Sequence, residues 1–521
     1  MTVPAAVLVA LLAAAPVVVG DLSGLTTAVL LFTAAGGLIA PVGWAGLPSL
    51  GQGAFVGIGA YAVAIASSRW GWGPLASVPF AIAVAAAAGW VTGAAVARLR
   101  APFAALATWL VSWAFALAVL ALPEWTAGAR GLVVPTQQVE LRAFAVSVRI
   151  TELLLYDAAL VLAIVVGVVV VRARARIHPP MAFARDDPAG ALAARIPVAR
   201  LRTGAMAASA AVGGAAGALL VMADGVADPA AYGPVLSLQL FLVVVVGGAE
   251  TVVGAAMGLA VLAVIEPLAD AFASPAWEPL LTGALLVAVV AFGRRPLWRL
   301  RRRRFNVLPA AWSNRGVPLS AADVVVDYGG VRALDGVSVA IGAGTCHALV
   351  GPNGSGKTTL LRVLAQDPHA ARTIQRSLTL SGLSVFDAVL AGREPVRTTG
   401  VLRWVLNTPK SRADQAAAEA AVANALSLTG LPANDDVADL HGAQRRLLQI
   451  AVALASEPGA LLLDEPSAGM APAEQDGLRA VLQRLRDGGL TVVVIEHNQR
   501  VVHGLADDVT ELDAGRVVVS A

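Results

Sequence analysis

The run Gly351-Pro352-Asn353-Gly354-Ser355-Gly356-Lys357-Thr358-Thr359 has the G-x-x-x-x-G-K-[ST] spacing of a loop that wraps phosphate groups. It follows Cys346-His347-Ala348-Leu349-Val350, which suits a buried strand, and precedes the helical run LLRVLAQ. Glycines let successive backbone N–H groups curl around phosphate oxygens, and the helix start adds a positive dipole end. Lys357 is then placed to reach the β- and γ-phosphates of ATP, and the Thr358 hydroxyl to reach Mg²⁺. Only Lys357 and Lys410 among the 38 basic residues are lysines, so a lysine here does not reflect general usage. A chance glycine turn is the bland alternative, and the strand–loop–helix context argues against it.

Further on, Ala460-Leu461-Leu462-Leu463-Asp464-Glu465 reads as a buried strand ending in two carboxylates. Such a strand delivers Asp464 to the Mg²⁺ shell and lets Glu465 polarise water for attack on the γ-phosphate. An acidic turn is the competing reading, and the phosphate loop weakens it. A second buried strand, Leu490 to Ile495, ends at Glu496-His497 and puts an imidazole at the carboxyl edge of a sheet, where ligands of open α/β sheets bind. These pieces predict an α/β nucleotide domain over 319–521, opening with strand-like Val324 to Val326 and Val337 to Ile341. A basic linker, 299–318, precedes it, containing RLRRRR and bracketed by Pro309 and Pro318.

The elements ahead of that linker belong to another solvent. The 521 residues are 57% hydrophobic and 14% charged, with mean hydropathy +0.72, which excludes an ordinary soluble protein. Long charge-free runs fill roughly the first 295 residues, which sets 1–298 apart as a membrane domain, and a helix needs about 20 apolar residues to cross lipid. Candidate spans are 3–20, 23–41, 52–68, 76–97, 103–122, 153–171, 203–222, 235–267 and 278–293. The first lacks the positive start of a signal peptide and reads as a membrane helix. Arginines crowd a loop between Arg172 and Arg202 and follow the last span at Arg294 to Arg304, so both segments face the cytoplasm. Parity then requires an even number of crossings between them. Splitting 235–267 at Gly247-Gly248-Ala249-Glu250-Thr251 satisfies it, puts Glu250 at a cytoplasmic turn and gives ten crossings.

Three features remain open at this level. Small residues in 43–61 suit either close helix packing or a broken helix around Pro48 to Gln52 that shows backbone groups to a polar solute. RDDPAGALAARIPVAR, with Pro188 near a helix start, is either a solvated loop or a helix projecting toward a moving partner. The net charge of +3 gives no reason to expect nucleic acid, and one cysteine, Cys346, excludes an internal disulfide.

The order of the nucleotide motifs resembles the ATP-binding cassette family over about 319–521. The resemblance implies that Tyr328 stacks on adenine and that Gln375, in Arg372-Thr373-Ile374-Gln375, approaches Mg²⁺ and senses the membrane domain. It implies that Leu440-His441-Gly442-Ala443-Gln444 is the signature facing a partner's nucleotide and that His497 is the switch histidine. More narrowly, SLGQGAFVGIGAYA, TAGARGLVVP, FLVVVVGGAETVVGAAMG, RTIQ and EPSAGMAPAE resemble the branched-chain (hydrophobic) amino acid transporter family, with permease and ATPase fused. The implied architecture is an all-α polytopic membrane domain of about ten helices followed by an α/β P-loop ATPase. The implied activity is ATP-driven amino acid import across the prokaryotic (inner) membrane, with the ATPase in the cytoplasm. Implied partners are a second permease, a second ATPase subunit or a copy of this chain, an extracytoplasmic solute-binding protein and membrane lipid. Urea or short amides are the alternative cargo, and a regulatory subunit weak in hydrolysis is the alternative role. Two departures favour that second role: His441 and Ala443 replace the usual Ser and Gly, and only 18 positions separate Lys357 from Gln375.

Overall fold

The computed structural model describes residues 22–135, 140–143, 146–263, 315–376, 378–496 and 504–520, with single positions 284, 305 and 502. The chain divides into two units, one of Met1–Met181 with Ala199–Arg301, the other of Ala182–Val198 with Arg302–Ala521.

In the first unit α1 (Ser23–Gly37) continues as a π-helical turn, Ile39–Trp44. There follow α2 (Gln52–Trp70), α3 (Pro74–Val96), α4 (Ala101–Ala121), α5 (Ile150–Asp186), α6 (Pro188–Ala193), α7 (Val198–Asp224), α8 (Pro234–Gly247) and α9 (Val252–Leu262). The end of α5 and all of α6 belong to the second unit. Pro74, Pro102, Pro188 and Pro234 sit in first turns, where a missing N–H removes no helical bond. Gly71 ends α2 at φ 68°, in the left-handed region. Two short strands, β1 (Leu132–Val133) and β2 (Val226–Ala227), pair antiparallel.

Burial divides these helices by role. α2 is buried along most of its length, whereas α3 and α4 expose Trp90, Val91, Phe103, Leu106, Leu110 and Leu117, as lipid-facing helices must. Between helices in lipid, small residues supply the contact. A Cβ on Gly217 of α7 would lie 1.9 Å from the Val56 carbonyl oxygen of α2. Gly217→Ala therefore forces two backbones apart, at a cost of about 1–3 kcal/mol. A lower melting temperature of the detergent-solubilised protein is expected, and an unchanged one would mean the helices part freely.

Five described helices are long and apolar enough to cross a membrane: Ser23–Trp44, Pro74–Val96, Ala101–Ala121, Thr151–Asp186 and Val198–Asp224. The bent pair Pro234–Gly247 and Val252–Val261 raises this to six if taken as one span. The expected count of ten included 3–20 and 278–293, which lie outside the described residues. The expected span 235–267 does break after Gly247, with a bend of 115°. Glu250, in that break, lies 4.0 Å from Arg174 and 3.9 Å from His178, and its carbonyl accepts from Trp44 Nε1.

One expectation is corrected. The arginine-rich stretch from Arg172 onward is no loop: α5 runs unbroken through Arg172, Arg174, Arg176, Pro179 and Pro180 to Asp186. Proline inside a helix deletes a backbone bond, but burial of Met181, Ala182, Phe183 and Ala184 outweighs that local penalty.

In the second unit a six-stranded sheet has the order β10-β9-β5-β8-β7-β6, where β5 is Cys346–Val350, β6 Ala370–Arg372, β7 Ala460–Asp464, β8 Thr491–Ile495, β9 Asp508–Asp513 and β10 Arg516–Ser520. Only the β9–β10 edge pair is antiparallel. β7 and β8 are buried on both faces, which their unbroken apolar runs require. Two longer strands, β3 (Leu319–Tyr328) and β4 (Val331–Ile341), form a separate antiparallel pair. The helices are α10 (Lys357–Leu364), α11 (Val385–Ala391), α12 (Pro409–Thr429), α13 (Gly442–Leu454) and α14 (Pro472–Asp487).

Candidate nucleotide-binding site

β5, at the middle of the sheet, ends at Val350, and the chain turns through Gly351 to Gly356 into α10. Gly351, Gly354 and Gly356 have φ of 137°, 82° and 100°, conformations that a side chain would strain. At two of them there is no room either, since a Cβ would lie 2.0 Å from the Leu512 oxygen at Gly351 and 2.5 Å from the Ala333 oxygen at Gly356. Ser355 is buried, Asn353 and Gly354 are exposed, and Thr358 and Thr359 open α10. Lys357 folds back on its own loop, donating to the carbonyl oxygens of Gly351 at 2.8 Å and Pro352 at 2.7 Å. Burial pulls its pKa down, and the charges of Glu465 and Asp464 oppose that shift.

β7 brings the carboxylates to the same sheet edge. Asp464 is buried, which raises its pKa, while Arg372 at the end of β6 opposes the rise with an Nη2 to Oδ2 distance of 3.4 Å. Glu465 follows with φ 48°, a left-handed conformation uncommon for a non-glycine residue, and its N–H donates to the Ile495 oxygen at 3.0 Å. Gln375 Nε2 donates to Glu465 Oε2 at 2.9 Å. The residue after the second core strand, Glu496, is buried and accepts from the Ser467 N–H at 2.8 Å, bracing the turn behind Glu465.

Gln375 is tied in both directions. Arg446 of α13 donates to its carbonyl oxygen, and Gln449 donates to that of Arg376. The Arg376 guanidinium pairs with Asp187, which is fully buried and also caps α6 by accepting from the Gly190 N–H at 2.8 Å. Asp186 accepts from the Ser381 N–H at 2.7 Å and hydroxyl at 2.9 Å, and Arg195 donates to the carbonyl oxygens of Pro368 and Asp367 at 2.9 and 2.6 Å. A cavity of about 320 Å³ lies along this seam, lined by Phe183, Gly190, Leu378 and Val452 among others.

Tyr328 and His441 make their described contacts elsewhere. Tyr328 is exposed at the free end of β3, where it pairs with Val331. His441 is exposed ahead of α13, its N–H donating to Gln444 Oε1 at 3.2 Å and its Nδ1 3.8 Å from Glu474. Gly442 and Ala443 begin α13. His497 lies outside the described residues. Sequence reading missed Arg372 as a partner of Asp464, and Arg376, Arg446 and Asp187 as partners around Gln375; only the neighbouring R-T-I-Q motif pointed there. Cys346 is buried in β5, which pushes its thiol up to about 12 and makes it unreactive.

The residue set fits Mg²⁺ bound together with a nucleotide. Among the described residues no three His, Cys, Asp or Glu side chains come together to hold a metal by themselves. One carboxylate with a hydroxyl and an amide leaves the other positions to phosphate and water, which is how Mg²⁺ is usually held.

Residues 22–290, more than half of the chain, match the family described as branched-chain amino acid transport system / permease component, and residues 334–468 match the family described as ABC transporter. Over 225 residues the chain is 34% identical to the ribose import ATP-binding protein RbsA of Pseudomonas putida, a match covering 38% of this chain and 42% of that one. It is 28% identical over 225 residues to the high-affinity branched-chain amino acid transport ATP-binding protein LivG of Escherichia coli, covering 38% and 88%. The chain thus spans less than half of the length of that ribose relative. A solved nucleotide-free ATP-binding cassette from an ABC transporter is 22% identical, with TM-score 0.34, covering 39% of this chain and 90% of that one.

Proposed function

Because this chain belongs to the branched-chain amino acid transport permease family and carries an ABC transporter segment behind that domain, we propose that it is the fused permease and ATPase subunit of an ATP-driven importer of branched-chain or other hydrophobic amino acids. The observation that carries this reading is the run of bonds from Glu465 through Gln375 and Arg376 to Asp187, because Asp187 directly follows the helix that begins at Ile150. Within the second unit, the nucleotide site is thereby tied over a few side chains to the segment that continues that helix.

ATP entering the loop draws Lys357 from the Gly351 and Pro352 carbonyls onto the β- and γ-phosphates. Thr358, Asp464 and Gln375 would hold a Mg²⁺ bound with the nucleotide, which would supply charge neutralisation at those phosphates. Gln375 leaves Glu465, whose carboxylate is then free to orient water and accept its proton, with His497 as the second group acting in hydrolysis. Movement of Gln375 pulls on Arg376, and through Asp187 on α6. Tyr328 offers its ring to the adenine, and His441, Gly442, Ala443 and Gln444 face the nucleotide of a second ATPase subunit or copy of this chain. A second permease and an extracytoplasmic solute-binding protein complete the importer in the prokaryotic cell membrane.

Lys357→Ala tests the site directly. Loss of two charge-assisted bonds to phosphate weakens ATP binding by about a hundredfold or more. Titration with a fluorescent ATP analogue measures this, and unchanged affinity would remove Lys357 from the site.

A further inference from the structure

The interior of the first unit contains polar groups that the nucleotide site does not use. α2 starts at Gln52 after a non-helical break over 46–51, and α8 starts at Pro234 behind Gly233. The two starts meet. The Gly53 N–H donates to Ser237 Oγ at 2.9 Å, and a Cβ on Gly53 would lie 2.4 Å from the Gly233 oxygen. α4 closes a third side: the Leu50 N–H donates to Thr108 Oγ1 at 2.9 Å, the Ser112 hydroxyl donates to the Leu50 oxygen at 2.8 Å, and Ser112 Oγ lies 2.8 Å from Ser237 Oγ. Gln52 reaches the opposite way, donating to the Ala34 and Ser209 oxygens at 2.9 and 3.1 Å and accepting from the Ser209 hydroxyl at 3.0 Å. Thr108 and Ser112 lie near the middle of α4, Ser209 near the middle of α7 and Ala34 near the middle of Ser23–Trp44, so this hub sits at mid-depth of the crossing helices.

Hydroxyls and amides between membrane helices commonly act as glue, and most of these are satisfied in that way. Ser49 is not. It lies in the break, 1% exposed, and its hydroxyl has no hydrogen-bond partner. Tyr232, directly before Gly233, turns its side chain along α2 instead, against Gly57 and edge-on to Tyr61, with Asp224 and Asp228 nearby. A buried hydroxyl without a partner is destabilising, and packing alone gives no reason to keep one beside a pair of helix starts. Both helix starts bring N–H groups and a positive dipole end to the same place, which favours a negative group. Every partner in the hub is a hydroxyl, an amide or a backbone group.

We propose that this hub, with Ser49 as its free donor, is the solute site of the permease unit and takes the carboxylate of the carried molecule. This rests on the reading of the chain as an amino acid importer. In the assembled complex, Ser49→Ala is expected to raise the KM for leucine uptake about tenfold, the value of one charge-assisted bond. The melting temperature stays equal or rises, because an unpaired buried hydroxyl has been removed. Glue would give the opposite pattern, with KM unchanged, and that result overturns the proposal.

A second experiment reads the site without measuring uptake. Cys346→Ala makes the chain cysteine-free, and Ser49→Cys then places a single thiol in the break. Labelling by a small methanethiosulfonate during ATP turnover, blocked by leucine but not by leucinamide, supports the site. Absence of labelling in every state, or blocking by urea instead of leucine, overturns it. Failure of the unaltered complex to accumulate leucine counts against the amino acid reading, whereas normal leucine uptake with an unaffected Ser49 variant counts against this site alone.

Discussion

Glu465→Gln is expected to leave ATP binding intact while turnover falls by about 10²–10⁴-fold, the usual worth of a positioned general base. The argument starts from the backbone. Glu465 is held at φ 48° with its N–H on the Ile495 oxygen, so the side chain leaves the sheet edge in a fixed direction beside Asp464. Glutamine keeps the size and can still pair with Gln375, but its amide accepts no proton at neutral pH. Removing a negative charge near Lys357 also takes away repulsion against phosphate, so affinity for ATP holds or improves. Nucleotide binding and single-turnover hydrolysis measured together separate the two effects. Undiminished hydrolysis would take Glu465 out of the reaction.

Asp187→Asn is expected to separate hydrolysis from transport. Asparagine can still accept from the Gly190 N–H, so the start of α6 survives, but the charge that holds Arg376 is gone. A bond of this charged kind is worth about 1.5–3 kcal/mol, so uptake per ATP falls about tenfold or more, while basal ATP turnover stays near its original rate. Side-by-side measurement of phosphate release and solute uptake gives the ratio. A constant ratio would place coupling elsewhere, with the Asp186–Ser381 and Arg195–Pro368 bonds the next candidates.

The parts of this molecule that were legible in its sequence are those whose information is local. The phosphate loop, its flanking strand and helix, and the Asp464–Glu465 strand end are contiguous, and each forms where its residue pattern puts it. The break after Gly247 was equally readable, because two glycines interrupt an apolar run too long for one crossing. α5 was misjudged at its far end because Arg172 to Pro180 reads as polar and proline-broken, while the burial that sustains the helix comes from residues distant in sequence. The same distance hid Asp187: its partner Arg376 is 189 positions away, and no periodicity connects them. Gln52 posed a similar problem. Its place in a glycine-rich stretch suited either packing or an interrupted helix, and only the Ser209 and Ala34 contacts reveal a bonded hub at an interrupted helix.

The central claim is that phosphate chemistry in the 319–521 domain drives movement of solute through the helices ahead of it. The most direct measurement is leucine accumulation in proteoliposomes of the assembled complex loaded with ATP, compared with the same complex carrying Lys357→Ala. Accumulation against a gradient that disappears in the variant is the predicted result. Equal accumulation by both, with no other energy source present, would contradict it.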